Sequence, residues 1–228
     1  MIISTRESRE SAREYALRLI QENIIKLNLK PGTAVSENEL AKELGISRTP
    51  IREALQELQK MNFIEVYPQK GSVISHIDFE IVEEMVFLRK VLEKAVVEDL
   101  CGRISEENLQ ELDRNVQLQE FYLDNHNPHK VYELDNQFHH LLFVYSNKER
   151  IYNMMEGTQG HFDRIRTLVV YSVKDIKIVE DHKAIVNAIR NNDRALAAEI
   201  IIKHLSRYKL DQKEIIKKYP DYFIKEKE

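Results

Sequence analysis

Four residues of this 228-residue chain have the types and spacing to hold a metal ion. Asp135 and His139 stand four positions apart in the stretch Asp135-Asn136-Gln137-Phe138-His139. On a helix that spacing sends both side chains from one face, where they can share an ion. His182, in Glu180-Asp181-His182, and His204, in Lys203-His204-Leu205, lie on two later helical stretches. One carboxylate and three imidazoles suit a divalent first-row metal, zinc foremost, with nickel, manganese and cobalt as alternatives. Spacing alone does not single this set out, because the chain has eight histidines to group.

Positioning such a set requires three helices to converge. From Asp78 onward the sequence carries only helical periodicity, with helices predicted over 78–101, 106–125, 128–146, 149–172, 175–190 and 193–217. Breaks fall at Gly102 with Ser105 as cap, Asn125 to Pro128, Ser146-Asn147, near Ser172, and Asn191-Asn192-Asp193. Connections this short favour antiparallel neighbours and a compact six-helix bundle.

The first part of the chain reads differently. Residues 7–27 repeat apolar positions at helical spacing and end before Lys30-Pro31-Gly32. Ser36 with Glu39 three residues on predicts a capping box, Leu40, Ala41 and Leu44 share a face, and Gly45 ends that helix. Ser47 is expected to cap the next helix, which has Pro50 in its first turn and a stripe of Ile51, Ala54, Leu55 and Leu58. Arg48, Thr49 and Arg52 are left on the outward side. Two short helices around a tight glycine turn, the second led by arginines, form a helix-turn-helix pattern. Phe63 to Val66 and Ser72 to Ile74, around Pro68-Gln69-Lys70-Gly71, predict a hairpin wing.

The string Leu40-Ala41 to Gly45-Ile46-Ser47-Arg48-Thr49-Pro50-Ile51-Arg52-Glu53-Ala54-Leu55, followed by Leu58 and Gly71, resembles the winged helix of the GntR family of bacterial transcription factors. Leu29-Lys30-Pro31-Gly32 is similar to that family's link after its first helix. The helical remainder resembles the effector-binding (FCD) domain of the FadR subgroup in its six-helix, VanR-like form. Together these resemblances imply a mainly α fold, with a winged helix-turn-helix at 1–76 and an all-helical effector- and metal-binding domain at 77–228.

The resemblance also implies roles. Arg48, Thr49 and Arg52 occupy DNA-contacting positions, Ser47 contacts backbone, and Gly71 with Lys70 or Gln69 approaches the minor groove. Asn38 stands where relatives often carry an arginine, so half-site preference is expected to differ. The structural alternative for either recognition arginine is an ion pair with Glu53 or Glu57. Asp135, His139, His182 and His204 match the ligands of the metal-binding branch one by one. Arg89 matches an arginine often near the effector; from the residues themselves, Arg164 and Arg166 are weaker effector-binding candidates, and His161 is read as a support behind the ligands or as cavity wall, in preference to a ligand.

Charge is consistent with a DNA reader that depends on placement. The net charge is −4, yet residues 1–75 hold 11 Lys/Arg against 10 Asp/Glu, and residues 76–228 hold 23 against 28. A weakly charged reading domain implies modest non-specific affinity, which pairing in a homodimer would raise. No run of 18 apolar residues exists and no apolar signal core opens the chain. One cysteine, Cys101, suits a reducing cytoplasm. The expected function is an operator-binding regulator, read as a repressor, recognising an inverted repeat in double-stranded DNA and controlled by a small carboxylate at the metal site. A metal-dependent hydrolase with a DNA-targeting module, and a direct metal sensor, are the alternatives.

Overall fold

The computed structural model describes residues 1–67, 71–156, 158–172 and 176–224. Among them the chain forms eleven α-helices and one three-stranded sheet. It divides into two compact units. The first comprises Met1–Val82, Gln159–Thr167 and Ile216–Glu228, and the second Glu83–Thr158 and Leu168–Ile215.

In the first unit, α1 (Ala12–Ile25) opens with the capping box that the sequence led us to expect elsewhere. Ser11 accepts from the Glu14 N–H, and Glu14 accepts from the Ser11 N–H. Helices α2 (Glu37–Leu44) and α3 (Arg48–Lys60) follow at the expected positions, joined through Gly45 at φ 66°. Ser36 and Ser47 hold the N-cap positions as expected, with extended backbone, but neither makes a side-chain cap bond among the described residues. The residue type was right in each case, but a cap also needs a rotamer that type does not set. The apolar stripe behaves as expected, with Ile51, Ala54 and Leu58 wholly buried against Leu19, Ile20 and Ile24 of α1. Each of these isoleucine and leucine side chains contributes roughly 1.5–3 kcal/mol on burial.

The wing strands β2 (Ile64–Tyr67) and β3 (Gly71–Ile74) pair antiparallel, Ile64 opposite Ile74 and Tyr67 opposite Gly71. A short strand not foreseen from sequence, β1 (Ala34–Val35), adds to the other edge of β3. Two later segments complete this unit. Phe223 stacks on Phe79 at 5.0 Å, and Ile77 bridges in parallel to Phe223. Gly160 lies so close to Phe63 that a β-carbon there would fall 2.0 Å from the ring.

The second unit contains most of α4 (Phe79–Leu100), then α5 (Glu106–Asp124), α6 (Pro128–Tyr145) and α7 (Glu149–Glu156). The chain continues through α8 (Gly160–Ser172), α9 (Ile176–Arg190), α10 (Arg194–Ser206) and α11 (Tyr208–Lys218), with a 3-10 turn at Pro220–Tyr222. The helical region therefore has eight helices where six were expected, because two predicted helices are each broken. The span 149–172 divides before Gly160, and 193–217 divides at Arg207. Arg207 is tied to Asp181, one bond being 2.7 Å. The expected breaks at Gly102 to Ser105, Asn125 to Pro128, Ser146-Asn147 and Asn191 to Asp193 hold, with Asn147 and Asn192 at positive φ and Ser105 and Asp193 capping the helices that follow, while the one near Ser172 runs into 173–175, outside the described residues. Packing of α5 on α6 and α9, and of α9 on α10, centres on Leu112, Phe138, Leu142, Ile185 and Ile201. No helix among the described residues is long and apolar enough to cross a membrane.

Candidate functional site

Asp135 and His139 on α6, His182 on α9 and His204 on α10 meet within the second unit. One ligand atom from each lies within 4.8 Å of all the others. The Nε2 atoms of His139 and His182 each stand 3.2 Å from Nε2 of His204. Asp135 Oδ1 is 3.5 Å from His182 Nε2 and 4.0 Å from His139 Nε2. Ligands bound at about 2.1 Å in tetrahedral or octahedral geometry stand roughly 3.0–3.5 Å apart, so most of these separations fit one ion.

The outer nitrogens explain why the rings face inward. His139 Nδ1 lies 2.6 Å from Glu93 Oε2, and His182 Nδ1 lies 2.8 Å from Gln119 Oε1. Both acceptors require a proton on Nδ1, which leaves the two Nε2 lone pairs aimed at the centre. Lone pairs converging in a buried space repel one another unless a proton or a cation lies between them. His204 Nδ1 faces Asp181, with 3.7 Å between Nδ1 and Oδ2. The donor set, its convergence and these outer contacts fit a metal ion. Phe138 stacks on the His182 ring at 4.1 Å and adds to its restraint.

Electrostatics follow from burial. Burial pushes the Glu93 carboxyl up, but the Arg89 charge and the hydrogen bonds from Arg89 and His139 outweigh it and hold the group at about 2. Burial lowers His139, and it lowers His204 to about 4. The two histidine shifts favour unprotonated imidazoles, the state in which they ligate metals, and burial outweighs the opposing pull of the Glu93 carboxylate on His139. Glu93 is held by the Arg89 Nε at 2.6 Å, and Gln119 donates to Asn115 at 2.7 Å. Sequence reading assigned no role to Glu93, Gln119 or Arg207, and noted Asp181 only as a flank of His182. The signal available was a pair of i, i+4 polar couples, Arg89–Glu93 and Asn115–Gln119, at positions of α4 and α5 that proved buried.

Arg89 thus stands behind the cluster, acting through Glu93. Arg164, expected beside the effector, lies in the first unit. Its guanidinium is fully buried in the first unit, donating to the Ser75 carbonyl at 2.6 Å and to Ser75 Oγ at 3.3 Å. Burial lowers its pKa to about 9. His161, expected as cavity wall, belongs to the same unit. Its Nδ1 accepts from the Asp78 N–H at 3.0 Å and its Nε2 donates to the Asn62 carbonyl at 3.0 Å. Arg166 pairs with Asp163 at 3.0 Å.

The face expected to meet nucleic acid is built by α2 and α3. Asn38, Ser47, Arg48, Thr49 and Arg52 are all exposed there, and Gly71 opens β3 at φ 78°. Lys70 lies outside the described residues. Arg48 and Arg52 pair with neither Glu53 nor Glu57. Both reach back to Glu37 at the first position of α2, Arg48 through one bond of 3.1 Å and Arg52 through two of 3.0 and 2.9 Å.

Comparison with known proteins accords with this pairing of a reading head and a helical unit. Residues 13–74 match the family described as bacterial regulatory proteins, gntR family, and residues 84–207 match the FCD domain, more than half the chain. The chain belongs to the GntR family. It is 30% identical over 224 residues to an HTH-type transcriptional regulator in an unstable DNA locus of Streptomyces ambofaciens, covering 94% of this chain and 90% of that protein. It is 26% identical over 210 residues to the HTH-type transcriptional repressor RspR of Escherichia coli strain K12, covering 92% of each. In fold it is similar to E. coli McbR/YncC, with a TM-score of 0.75 at 17% identity over 92% of this chain and 99% of that one. This GntR-family protein is a transcriptional regulator and not an enzyme, which closes the hydrolase alternative. Regulators of the family bind DNA and commonly act as dimers.

Proposed function

We propose that this GntR-family regulator is a homodimeric repressor of an inverted-repeat operator, released from DNA when a small carboxylate occupies its second unit. The observation that carries the reading is the convergence of Asp135, His139, His182 and His204 on one point. A divalent ion there, zinc by preference and nickel, manganese or cobalt as alternatives, supplies coordination positions that a carboxylate can fill. The chain's own residues prepare that point. Glu93 and Gln119 fix the tautomers of His139 and His182, and Asp181 stands beside His204. Arg89 supports the site by neutralising Glu93. Asp135 brings one negative charge to the cluster. In the first unit, Arg48, Thr49, Arg52 and Asn38 read base edges while Ser47, Lys70 and Gly71 meet the backbone. A repressor role is supported by the name of the E. coli relative RspR. Such a role belongs in the bacterial cytoplasm.

Control of this kind is a coupling free energy, ordinarily about 1–3 kcal/mol, or roughly 5- to 150-fold in affinity. By reciprocity DNA weakens effector binding by the same factor. The test measures operator affinity of metal-loaded protein across a panel of sugar acids, hydroxy acids, dicarboxylates and amino acids, with His182→Ala/His204→Ala alongside. An acid that lowers affinity at least fivefold for the wild type and not for the variant is expected. Absence of any such acid, or an undiminished response in the variant, overturns the reading. Affinity that tracks free metal with no acid present assigns the site to metal sensing instead.

A further inference from the structure

The recognition arginines are held by a carboxylate before any DNA arrives. Arg52 grips Glu37 as a fork, Nε on one oxygen and a terminal nitrogen on the other, at 3.0 and 2.9 Å. Arg48 shares the second oxygen at 3.1 Å. We propose that Glu37 is a specificity-determining positioning residue, which sets the orientation of both arginines and disfavours their use as general phosphate binders. The inference rests on the DNA-reading role of α3.

Three properties of the contact support it. Glu37 sits at the first position of α2, where a carboxylate is stabilised by the helix N-terminus, so it is held where both guanidinium groups can reach it. The groups are exposed, and exposed ion pairs open at little cost, so DNA can displace the contact or share it. An arginine carries five N–H donors, and the fork with Glu37 uses two on Arg52 and one on Arg48. The remaining donors project from guanidinium planes whose orientation is already set, which favours bidentate bonds to guanine.

On random DNA the same carboxylate counts against binding. It offsets one of the two positive charges that would neutralise phosphate, and it repels phosphates brought close to α2. At the proper site it costs less, because the arginines read neutral base edges there and a carboxylate can accept from cytosine N4. Glu37 therefore widens the gap between specific and random binding.

The test compares full-length wild type, Glu37→Gln and Glu37→Asp on a duplex selected by the wild type and on random duplex, at several salt concentrations. Glu37→Gln is expected to bind random DNA 3- to 10-fold more tightly, with a salt slope steeper by about one. Its affinity for the selected duplex is expected to stay level or fall, so discrimination drops at least threefold. Glu37→Asp keeps the charge but is one methylene shorter, and is expected to lose discrimination as well. Equal tightening on both duplexes by Glu37→Gln, or wild-type discrimination in either variant, overturns the proposal. Failure of the wild type to prefer any sequence would instead overturn the DNA-reading assignment for this chain, and Arg48→Ala/Arg52→Ala separates the two.

Discussion

Placing a methyl group at Gly160 would strike the ring of Phe63. An alanine β-carbon there would lie 2.0, 2.4 and 2.7 Å from three ring carbons, well inside van der Waals contact. Phe63 is wholly buried, so the ring has no open space into which to swing. Gly160 opens α8, and Gly→Ala within a helix ordinarily gains roughly 0.5–1 kcal/mol. Overpacking of a filled core costs about 1–3 kcal/mol and reverses that sign. Gly160→Ala is therefore expected to destabilise the protein by about 1–2 kcal/mol, a loss of roughly 2–8 °C in melting temperature for a chain of this size. Urea unfolding followed by circular dichroism measures it. Phe63→Leu alone is expected to cost about 1 kcal/mol, and the double variant less than the sum by at least about 0.5 kcal/mol, since the smaller side chain makes room. Unchanged or raised stability in Gly160→Ala, or strict additivity in the cycle, would refute the packing of Gln159–Thr167 into the first unit.

Two further predictions concern side chains whose environments are unusual. His161 is neutral and buried, and burial together with the Arg164 charge lowers its pKa to about 4 from an ordinary value near 6.5. The unfolded chain therefore takes up the proton first, and the stability contributed by neutral His161 is complete above about pH 6.5 and lost as pH falls towards 4. Wild type should lose about 1.4 kcal/mol per pH unit relative to His161→Gln across that window, and a difference that stays flat with pH would exclude it. Gln119→Met removes the acceptor for His182 Nδ1 at nearly constant volume. Zinc affinity, measured by competition with a chromophoric chelator, is expected to fall about 10- to 100-fold, and undiminished affinity would show that Gln119 does not orient the ligand.

The helix-turn-helix was legible because its signals are local. The α3 stripe and Gly45 at the turn act within a few residues, and each fell where expected. Asn147, Asn192 and Ser105 likewise ended or began helices through their own backbone preferences. The candidate metal cluster was legible in part, since the i, i+4 pair on α6 marks one face and the resemblance supplied the two distant histidines. What stayed hidden depends on contacts far apart in sequence. Arg164 bonds Ser75 and His161 bonds Asn62, across 89 and 99 positions, and no period encodes such pairs. Glu37 was missed for a related reason. An arginine on a helix invites a partner on the same helix, but the carboxylate of the preceding helix lies nearer once Gly45 folds α2 back.

The most direct test is to incubate the purified protein with sheared DNA from its own source and sequence the fragments retained at moderate salt. Arg48→Ala/Arg52→Ala is run in parallel. A few sites sharing a short inverted repeat, retained by the wild type and lost in the variant, is the predicted result. Random fragments released by a little added salt, or the same sites retained by the variant, would contradict the account.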